Sequence, residues 1–393
     1  MVAHSFFCPS NVVDIKMRGE ILMMGLNFTI VGAGNGGMAM AGYLAMMGYK
    51  VNLYNRTLEN IIPLIKNPII SLTGEEKGIG VLNKVTNIMK EAIEGADIIM
   101  VTVPAMGHYQ MAVEMAPYLE DGQIIVLNPG RTGGALEVYE TIKRHKCEKD
   151  IVVAEAQTFI YACRATSSNS AHIFQVKNEV TIASIPSSKT NHVINLLKFA
   201  YPQFIPASDV LETSINNYGA IFHPAPTLLN SGHIERGAPF EYYTEGITPS
   251  IGDFIEKMDK ERMEIGEALQ INTLSAKDWL YESYGAKGNN LYETVQNNPA
   301  YKGLQAPKGL SIRYIYEDVP YSLIPMSSIA RELGIKTPAI NSIINIAELI
   351  TGKDFYMEGR TIERLGLKGL AVHEMHKIAQ IGKTDKKDKE GVA

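Results

Sequence analysis

The sequence predicts a two-domain α/β protein, in which an N-terminal doubly wound parallel sheet is followed by a mostly helical C-terminal domain. Its 393 residues, 46% of them hydrophobic, are enough for two domains that each bury a core. Short apolar runs alternate with helix-length segments from Phe28 to about Tyr201. Beyond Pro206 the apolar residues recur at helical spacing instead.

Five apolar runs predict the strands of the N-terminal sheet. They occupy residues 28–31, 50–54, 98–103, 124–128 and 151–154. Each run is almost continuously apolar, which is typical of strands buried on both faces, and the helix-length segments between them indicate a parallel sheet. In the second half, residues 251–269 and 339–350 each carry one apolar stripe, so both are predicted to be helices.

The first predicted strand runs into the sequence Gly32-Ala-Gly34-Asn35-Gly36-Gly37, which an Ala/Met-rich helix follows. In such a unit the first glycine permits a tight turn, the second lets the backbone approach a pyrophosphate, and the third lets helix and strand pack closely. The phosphates would lie at the helix N-terminus, where N–H groups and the helix dipole favour negative charge. This strand, turn and helix predict a Rossmann dinucleotide site.

The second strand ends in Asn55-Arg56-Thr57, where a strict NAD site would have an acid for the ribose hydroxyls. Asn55 can still hydrogen-bond the ribose, and Arg56 offers a planar cation to a 2′-phosphate or to the adenine face. We therefore favour NADP as the cofactor. If Arg56 is only a solvated loop residue that stacks on adenine, NAD is equally acceptable.

Two later strands end in turn residues at the carboxyl edge of the sheet, where ligands bind in doubly wound folds. Pro104 follows the third predicted strand, and we expect it to line the cofactor cleft. The sequence Pro-Gly-Arg-Thr-Gly-Gly at residues 129–134 follows the fourth. Its glycines suit backbone approach to the nicotinamide half of the cofactor, although an ordinary turn has the same composition.

Two stretches of the second half place polar groups among apolar neighbours, which costs stability unless those groups are paired or used. Residues 216–230 contain His223, and residues 313–325 contain Arg313 and Asp318. Taken alone, His223 is as consistent with a core or capping histidine as with a catalyst. Arg313 and Asp318 are likewise consistent with a plain ion pair.

Together with the two glycine turns and residues 245–250 and 282–285, these stretches resemble the octopine/nopaline dehydrogenase family. The resemblance runs from about residue 28 to about residue 370. It implies an opine dehydrogenase, which uses NAD(P)H to join the amino group of an amino acid to a 2-oxo acid such as pyruvate through an imine. The product would be an N-(carboxyalkyl) amino acid.

The resemblance also implies site residues. His223 and Asp318 would form a catalytic dyad, and Arg313 would hold a substrate carboxylate. An acid beside an imidazole fixes its tautomer and stabilises the imidazolium, and a guanidinium matches a carboxylate bidentately. Histidine can then transfer protons at the carbonyl near neutral pH.

A further segment of the N-terminal half resembles the part of the family that lines the amino-acid pocket. It contains Glu155, Gln157 and Thr158, for which packing within a loop is the alternative. No metal site is predicted, because His373 and His376 lie three residues apart without a third ligand.

We expect residues 1–23 to form a loose arm, residues 24–205 the NAD(P)-binding domain, residues 206–382 the helical substrate and catalytic domain, and residues 383–393 a disordered tail. The tail is almost wholly polar and cannot bury a core. No repeat or low-complexity linker separates the two domains, so the site is expected in the cleft between them.

Composition limits the partners and the location of the chain. Its formal charge of −5, without a basic stripe, argues against nucleic acid. No apolar run reaches the roughly 18 residues of a membrane-spanning helix. Three widely spaced cysteines fit a reducing compartment, so we expect a cytoplasmic protein, either a monomer or a homodimer.

Two other functions stay open. A Rossmann reductase of the ketopantoate reductase or glycerol-phosphate dehydrogenase type normally uses a catalytic lysine, and no lysine here sits in a matching motif. A non-catalytic NADP-sensing protein would have no reason to keep the histidine, arginine and aspartate together. We therefore favour the opine-type enzyme, with the particular amino acid and 2-oxo acid undetermined.

Overall fold

The computed structural model describes residues 25–382. The predicted arm and the predicted tail, residues 1–23 and 383–393, lie outside this range. Within it, no helix is both long and apolar enough to cross a membrane.

Two sheets contain the strands of residues 25–382. The strands are β1 (Asn27–Val31), β2 (Lys50–Tyr54), β3 (Ile69–Gly74), β4 (Gly78–Val81), β5 (Lys84–Thr86), β6 (Ile98–Val101), β7 (Ile124–Leu127), β8 (Val152–Ala156), β9 (Tyr161–Ser167), β10 (Ser170–Val176), β11 (Val180–Ile185) and β12 (Phe204–Pro206). All five predicted strands are confirmed, with ends that differ by at most two residues.

The larger sheet has the order β12-β11-β8-β7-β6-β1-β2-β5. The chain moves outward from β1 to β2 and β5, and then returns to β6 on the other side of β1. The strand order therefore reverses between β1 and β6, the position at which doubly wound sheets bind ligands beyond the carboxyl ends of their strands. The sheet is parallel from β5 to β8, whereas β11 runs antiparallel to β8.

The sequence did not predict the second sheet, which has the order β4-β3-β10-β9. It packs its buried side chains against helix Asn35–Met46. The approach is close: a Cβ added at Gly42 of this helix would contact Ile70, and one at Gly80 would overlap the carbonyl oxygen of Gly42. Because β9 leads directly from the end of β8, this sheet lies beside the glycine turn.

The α-helices divide between the two halves of the chain. Those of the first half are Asn35–Met46, Ile62–Lys66, Met89–Ile93, His108–Met115, Gly134–Arg144 and Thr190–Leu197. Those of the second half are Val210–Ile215, Gly219–Phe222, Pro224–Leu229, Ser231–Arg236, Pro249–Ala268, Ala276–Tyr284, Leu291–Gln296, Arg313–Tyr316, Ile324–Glu332, Pro338–Thr351, Phe355–Glu358 and Val372–Ile381. The two helices predicted from apolar stripes are confirmed as Pro249–Ala268 and Pro338–Thr351.

The large sheet is covered on both faces, as its continuously apolar strands require. On one face, Ile30 and Met100 pack with helix Asn35–Met46 and the second sheet. On the other face, Ile99 and Ile125 belong to the same core as the helices of the second half. One apolar core thus joins the two halves, and the predicted boundary at residues 205 and 206 falls inside β12.

Candidate active site

The glycine turn after β1 has the conformation that a dinucleotide requires. Gly32 has φ of +113°, which disfavours any residue with a side chain. A Cβ at Gly37 would overlap the carbonyl oxygen of Gly32, so this glycine permits the close contact of helix and strand. Gly34 faces open space, where a pyrophosphate can approach the backbone.

The N-terminus of helix Asn35–Met46 is also suited to an anion. No side chain caps it, and its first turn contains no acid, so its N–H groups and dipole are available to phosphate. Asn35 turns its side-chain oxygen to the backbone N–H of Ala165 at 2.9 Å, which ties the turn to the second sheet. The ring of Phe159 covers Gly36.

The other predicted cofactor residues surround the same turn. The side-chain oxygen of Asn55 accepts a hydrogen bond from the backbone N–H of Ala33 at 3.2 Å, so it supports the glycine turn directly. Arg56 is exposed at the end of β2, and no carboxylate of residues 25–382 lies within ion-pair distance of it. Pro104 is exposed at the end of β6. These residues fit a dinucleotide laid across the carboxyl edge of the sheet.

His223 and Asp318 are brought together, although 95 residues separate them. His223 Nδ1 lies 2.9 Å from Asp318 Oδ2. Tyr314 stacks on the imidazole with ring centroids 4.3 Å apart, and the hydroxyls of Thr227 and Tyr242 donate to the carbonyl oxygen of His223. The His223 side chain is 21% exposed and Asp318 is buried, so Nε2 is the ring nitrogen that a substrate can reach.

Asp318 is held in its charged form. Burial alone would raise its pKa, but the charges of Arg131 and His223 outweigh that effect and lower the pKa of Asp318 below its ordinary value. Arg131 Nη1 lies 3.2 Å from Asp318 Oδ1. A charged acid at Nδ1 fixes the proton there and leaves Nε2 of the neutral ring as an acceptor.

Glu317 links the two halves next to this pair. One of its oxygens accepts a hydrogen bond from the backbone N–H of Ala105, just beyond β6, at 2.9 Å. The other pairs with Arg313, whose Nη2 lies 2.5 Å away, and lies 3.5 Å from Arg131 Nη2. Arg313 is therefore anchored at one end, yet its side chain is 58% exposed and can reach a ligand.

Arg131 is a site residue that the sequence analysis missed. It lies in the turn after β7 with φ of +60°, a left-handed conformation that is uncommon for a residue with a side chain. This backbone aims its guanidinium at Glu317 and Asp318. Gly219 makes room for it, because a Cβ there would lie 2.7 Å from Arg131 Nη1 and 3.3 Å from His223 Cε1. The sequence feature that could have identified it is an arginine between the glycines of the turn at residues 129–134.

The structure contradicts the predicted substrate contact of Glu155. Its side chain is buried, with the residue 1% exposed, and three protein donors occupy both of its oxygens. The backbone N–H of Ala135 donates to one oxygen at 2.7 Å, while the hydroxyls of Thr213 and Ser214 donate to the other. Burial raises the pKa of Glu155. It caps the N-terminus of helix Gly134–Arg144 and has no surface left for a ligand.

Gln157 and Thr158 lie at the carboxyl end of β8, partly buried. The side-chain amide of Gln157 donates to the carbonyl oxygen of Asn216 at 2.5 Å, which joins the loop to the helical half. The hydroxyl of Thr158 accepts a hydrogen bond from Lys177 Nζ at 2.6 Å. Both side chains are thus at the ligand edge of the sheet.

Two histidines outside the dyad have structural partners. His108 is fully buried, and Arg360 donates to its Nδ1 at 2.8 Å. His376 bridges Asp209 and the carbonyl oxygen of Leu269. No group of three or more metal-ligating side chains occurs among the residues that the structure describes.

Two family models match the chain. Residues 206–351 match the model described as the alpha-helical domain of NAD/NADP octopine/nopaline dehydrogenase. Residues 27–149 match the NAD binding domain of 6-phosphogluconate dehydrogenase.

The chain is also similar to individual enzymes along most of its length. It is 37% identical over 344 residues to the opine dehydrogenase of Arthrobacter sp. (strain 1C), an alignment that covers 87% of this chain and 96% of that one. The structure of an octopine dehydrogenase in complex with NADH and agmatine superposes with a TM-score of 0.78 at 22% identity, covering 91% of this chain and 98% of that one. A yersinopine dehydrogenase bound to NADP+ superposes with a TM-score of 0.71 at 14% identity, with the same coverage.

Proposed function

The chain belongs to the octopine/nopaline dehydrogenase family of NAD(P)-dependent oxidoreductases that act on CH–NH groups, and we propose that it reductively condenses the amino group of an amino acid with a pyruvate-like 2-oxo acid. The observation that carries the proposal is the His223–Asp318 pair with two arginines beside it, which the neighbouring Glu317 ties to the backbone just beyond β6 of the dinucleotide-binding sheet. This combination suits an acid–base reaction between carboxylate substrates.

His223 is the acid–base catalyst in this proposal. Condensation of an uncharged amine with a carbonyl releases one water and consumes one proton when it gives an iminium. The amine nitrogen gives up one proton to the former carbonyl oxygen and protonated His223 Nε2 delivers the other, so that the oxygen leaves as water. Asp318 stabilises the imidazolium and keeps Nδ1 protonated throughout. When bound, the reduced nicotinamide supplies the hydride that converts the iminium carbon to a secondary amine.

Arg313 binds a substrate carboxylate. Glu317 holds one side of its guanidinium, so the fork is oriented before a substrate arrives. Arg131 is more buried than Arg313, and its main role is to keep Asp318 ionised and in position. Gln157 and Thr158 are the N-terminal residues that we assign to the amino-acid pocket.

For the cofactor we propose NADP. The support is Arg56, an exposed guanidinium at the end of β2 with no carboxylate of residues 25–382 within ion-pair distance. Relatives with the same fold bind either nucleotide, NADH in one case and NADP+ in another. An Arg56→Ala variant should lose about ten- to a hundredfold in kcat/KM with NADPH and little with NADH. Equal losses with both would indicate that Arg56 only stacks on adenine.

We also propose a cytoplasmic enzyme that is a monomer or a homodimer. Cys147 and Cys163 are free thiols, which fits a reducing compartment.

The direct test follows nicotinamide absorbance with purified protein, pyruvate and a panel of amino acids, using NADH and NADPH in parallel. Oxidation that requires both substrates and collapses in a His223→Ala variant supports the proposal. Reduction of the oxo acid alone would indicate a simple hydroxyacid dehydrogenase. Tight nucleotide binding without turnover on any pair would favour a sensor.

A further inference from the structure

Lys177 is a cation at the carboxyl edge of the large sheet that the proposed mechanism does not use. It lies between β10 and β11, and because β11 runs antiparallel to β8, the start of β11 is at the carboxyl edge of the large sheet. Its backbone N–H donates to the carbonyl oxygen of Ile160 at 2.9 Å, and its Nζ donates to Thr158 Oγ1 at 2.6 Å. These bonds tie Lys177 to the loop between β8 and β9, which also carries Phe159, whose ring covers the dinucleotide turn.

The position is unfavourable for an ammonium group without an anion. The side chain is partly buried, and among residues 25–382 no carboxylate lies within ion-pair distance of its Nζ. Burial first, and then the charge of Arg131, lower the pKa of Lys177 to about 8. A charge withdrawn from water normally has a counter-ion, so a partly buried lysine whose ammonium group contacts a hydroxyl and is repelled by the charge of Arg131 is suited to an anionic ligand.

The charges of the catalytic group point to what that anion is. Arg131 and Arg313 are balanced by Glu317 and Asp318, so these four residues have no net charge with which to attract a dianion. The two proposed substrates bring two carboxylates into the site. Lys177 supplies positive charge that no acid of the described residues cancels.

We propose that Lys177 Nζ binds one of the two substrate carboxylates, with Arg313 holding the other and Thr158 orienting the ammonium group. This inference rests on the proposed reaction. It assigns Lys177 a role in binding and specificity, since His223 remains the residue that moves protons.

The test compares Lys177→Met with Lys177→Arg, and uses Lys189→Met, an exposed lysine of the same domain, as the matched control. Steady-state kinetics should show KM for the oxo acid or for the amino acid raised about tenfold or more in Lys177→Met, with kcat changed much less. Lys177→Arg should restore much of the affinity. The melting temperature of Lys177→Met should match or exceed that of the wild type, because a partly buried charge without a carboxylate partner is removed.

The pH dependence gives a second measurement. The same KM should rise in the wild type as pH passes about 8, where Lys177 loses its proton, and should stay flatter in Lys177→Arg, whose guanidinium remains charged. The substrate whose KM changes with pH is the one whose carboxylate Lys177 binds.

Three results would overturn the inference: both KM values unchanged in Lys177→Met, a lower melting temperature with unchanged KM, or weaker NADPH binding as the only change. Unchanged KM values would mean that Lys177 does not contact a substrate carboxylate. A lower melting temperature alone would mean that its role is structural, and weaker NADPH binding alone would mean that it contacts the cofactor. Failure of the proposed reaction is separate, because it appears in the wild type as turnover that does not require both substrates.

Discussion

The chain contains two histidine–aspartate pairs with nearly the same geometry in different surroundings. His223 pairs with Asp318 at 2.9 Å next to Arg131, and His376 pairs with Asp209 at 2.8 Å. In the second pair both ring nitrogens have protein partners, so no nitrogen is left for a substrate. Catalysis is therefore expected of the first pair alone.

Exchanging each aspartate for asparagine tests this difference. Asp318→Asn should lower kcat by about 10²- to 10⁴-fold, because the amide neither stabilises an imidazolium nor fixes the Nδ1 proton. Asp209→Asn is the control, with kcat close to that of the wild type and a lower melting temperature. Comparable losses of kcat in both variants would contradict the assigned roles.

Asp318 also gives a pH prediction for stability. Its pKa is lower in the folded protein than its ordinary value of 3.8, so it stabilises the fold above that value, and the contribution is lost as pH falls through the lowered pKa. The melting temperatures of the wild type and Asp318→Asn should therefore differ most above about pH 4 and converge at lower pH. A difference that grows on acidification would contradict the lowered pKa.

At the scale of single elements, the end of β8 has a structural task. Glu155 caps helix Gly134–Arg144 through Ala135 and contacts helix Val210–Ile215 through Thr213 and Ser214. Glu155→Ala should lower the free energy of unfolding by about 1–3 kcal/mol for each donor left unsatisfied. Denaturant titration measures this loss, and both KM values should stay near those of the wild type. A large rise in KM without loss of stability would restore Glu155 to the substrate pocket.

The elements that could be predicted are those with a strong apolar pattern. The central strands are buried on both faces, and the helices at Pro249–Ala268 and Pro338–Thr351 each bury one stripe. The second sheet could not be predicted in this way. Its strands alternate buried and exposed residues over short lengths, and β3 pairs with β10, about a hundred residues later in the chain.

The site residues, like the elements, could be predicted from the sequence only in part. His223 and Asp318 stand in motifs that resemble a known family, so both could be named from the sequence. Arg131 depends on a left-handed backbone and on the space at Gly219, and Lys177 depends on where β10 ends relative to β8. Such relations arise only when distant segments pack together.

At the scale of the whole molecule, one buried arginine joins the two halves behind the site. Arg360 pairs with Glu137 at 2.6 Å and donates to the carbonyl oxygens of Gly130 and Thr132, on either side of Arg131. The helical half thereby holds the turn that positions the Arg131 guanidinium. The fold and the catalytic geometry are coupled through this contact.

Removing the contact between Arg360 and Glu137 should affect both the stability of the fold and catalysis. Arg360→Met should destabilise the protein by about 3–5 kcal/mol, since Glu137 loses a buried partner. The variant should also lower kcat below that of the wild type when assayed under conditions where it is folded. Arg364→Met is the matched control, because Arg364 also pairs with Glu137 but is partly exposed. Equal effects of the two variants would argue against a special role for Arg360.

Product analysis tests whether one active site of this enzyme joins an amino acid to a 2-oxo acid. The enzyme would be incubated with NADPH, ¹³C-labelled pyruvate and ¹⁵N-labelled amino acids, and the products analysed by mass spectrometry. We expect one secondary amine that carries both labels, formed by the wild type and not by His223→Ala. A ¹³C-labelled 2-hydroxy acid without nitrogen, formed with or without the amino acid, would contradict it.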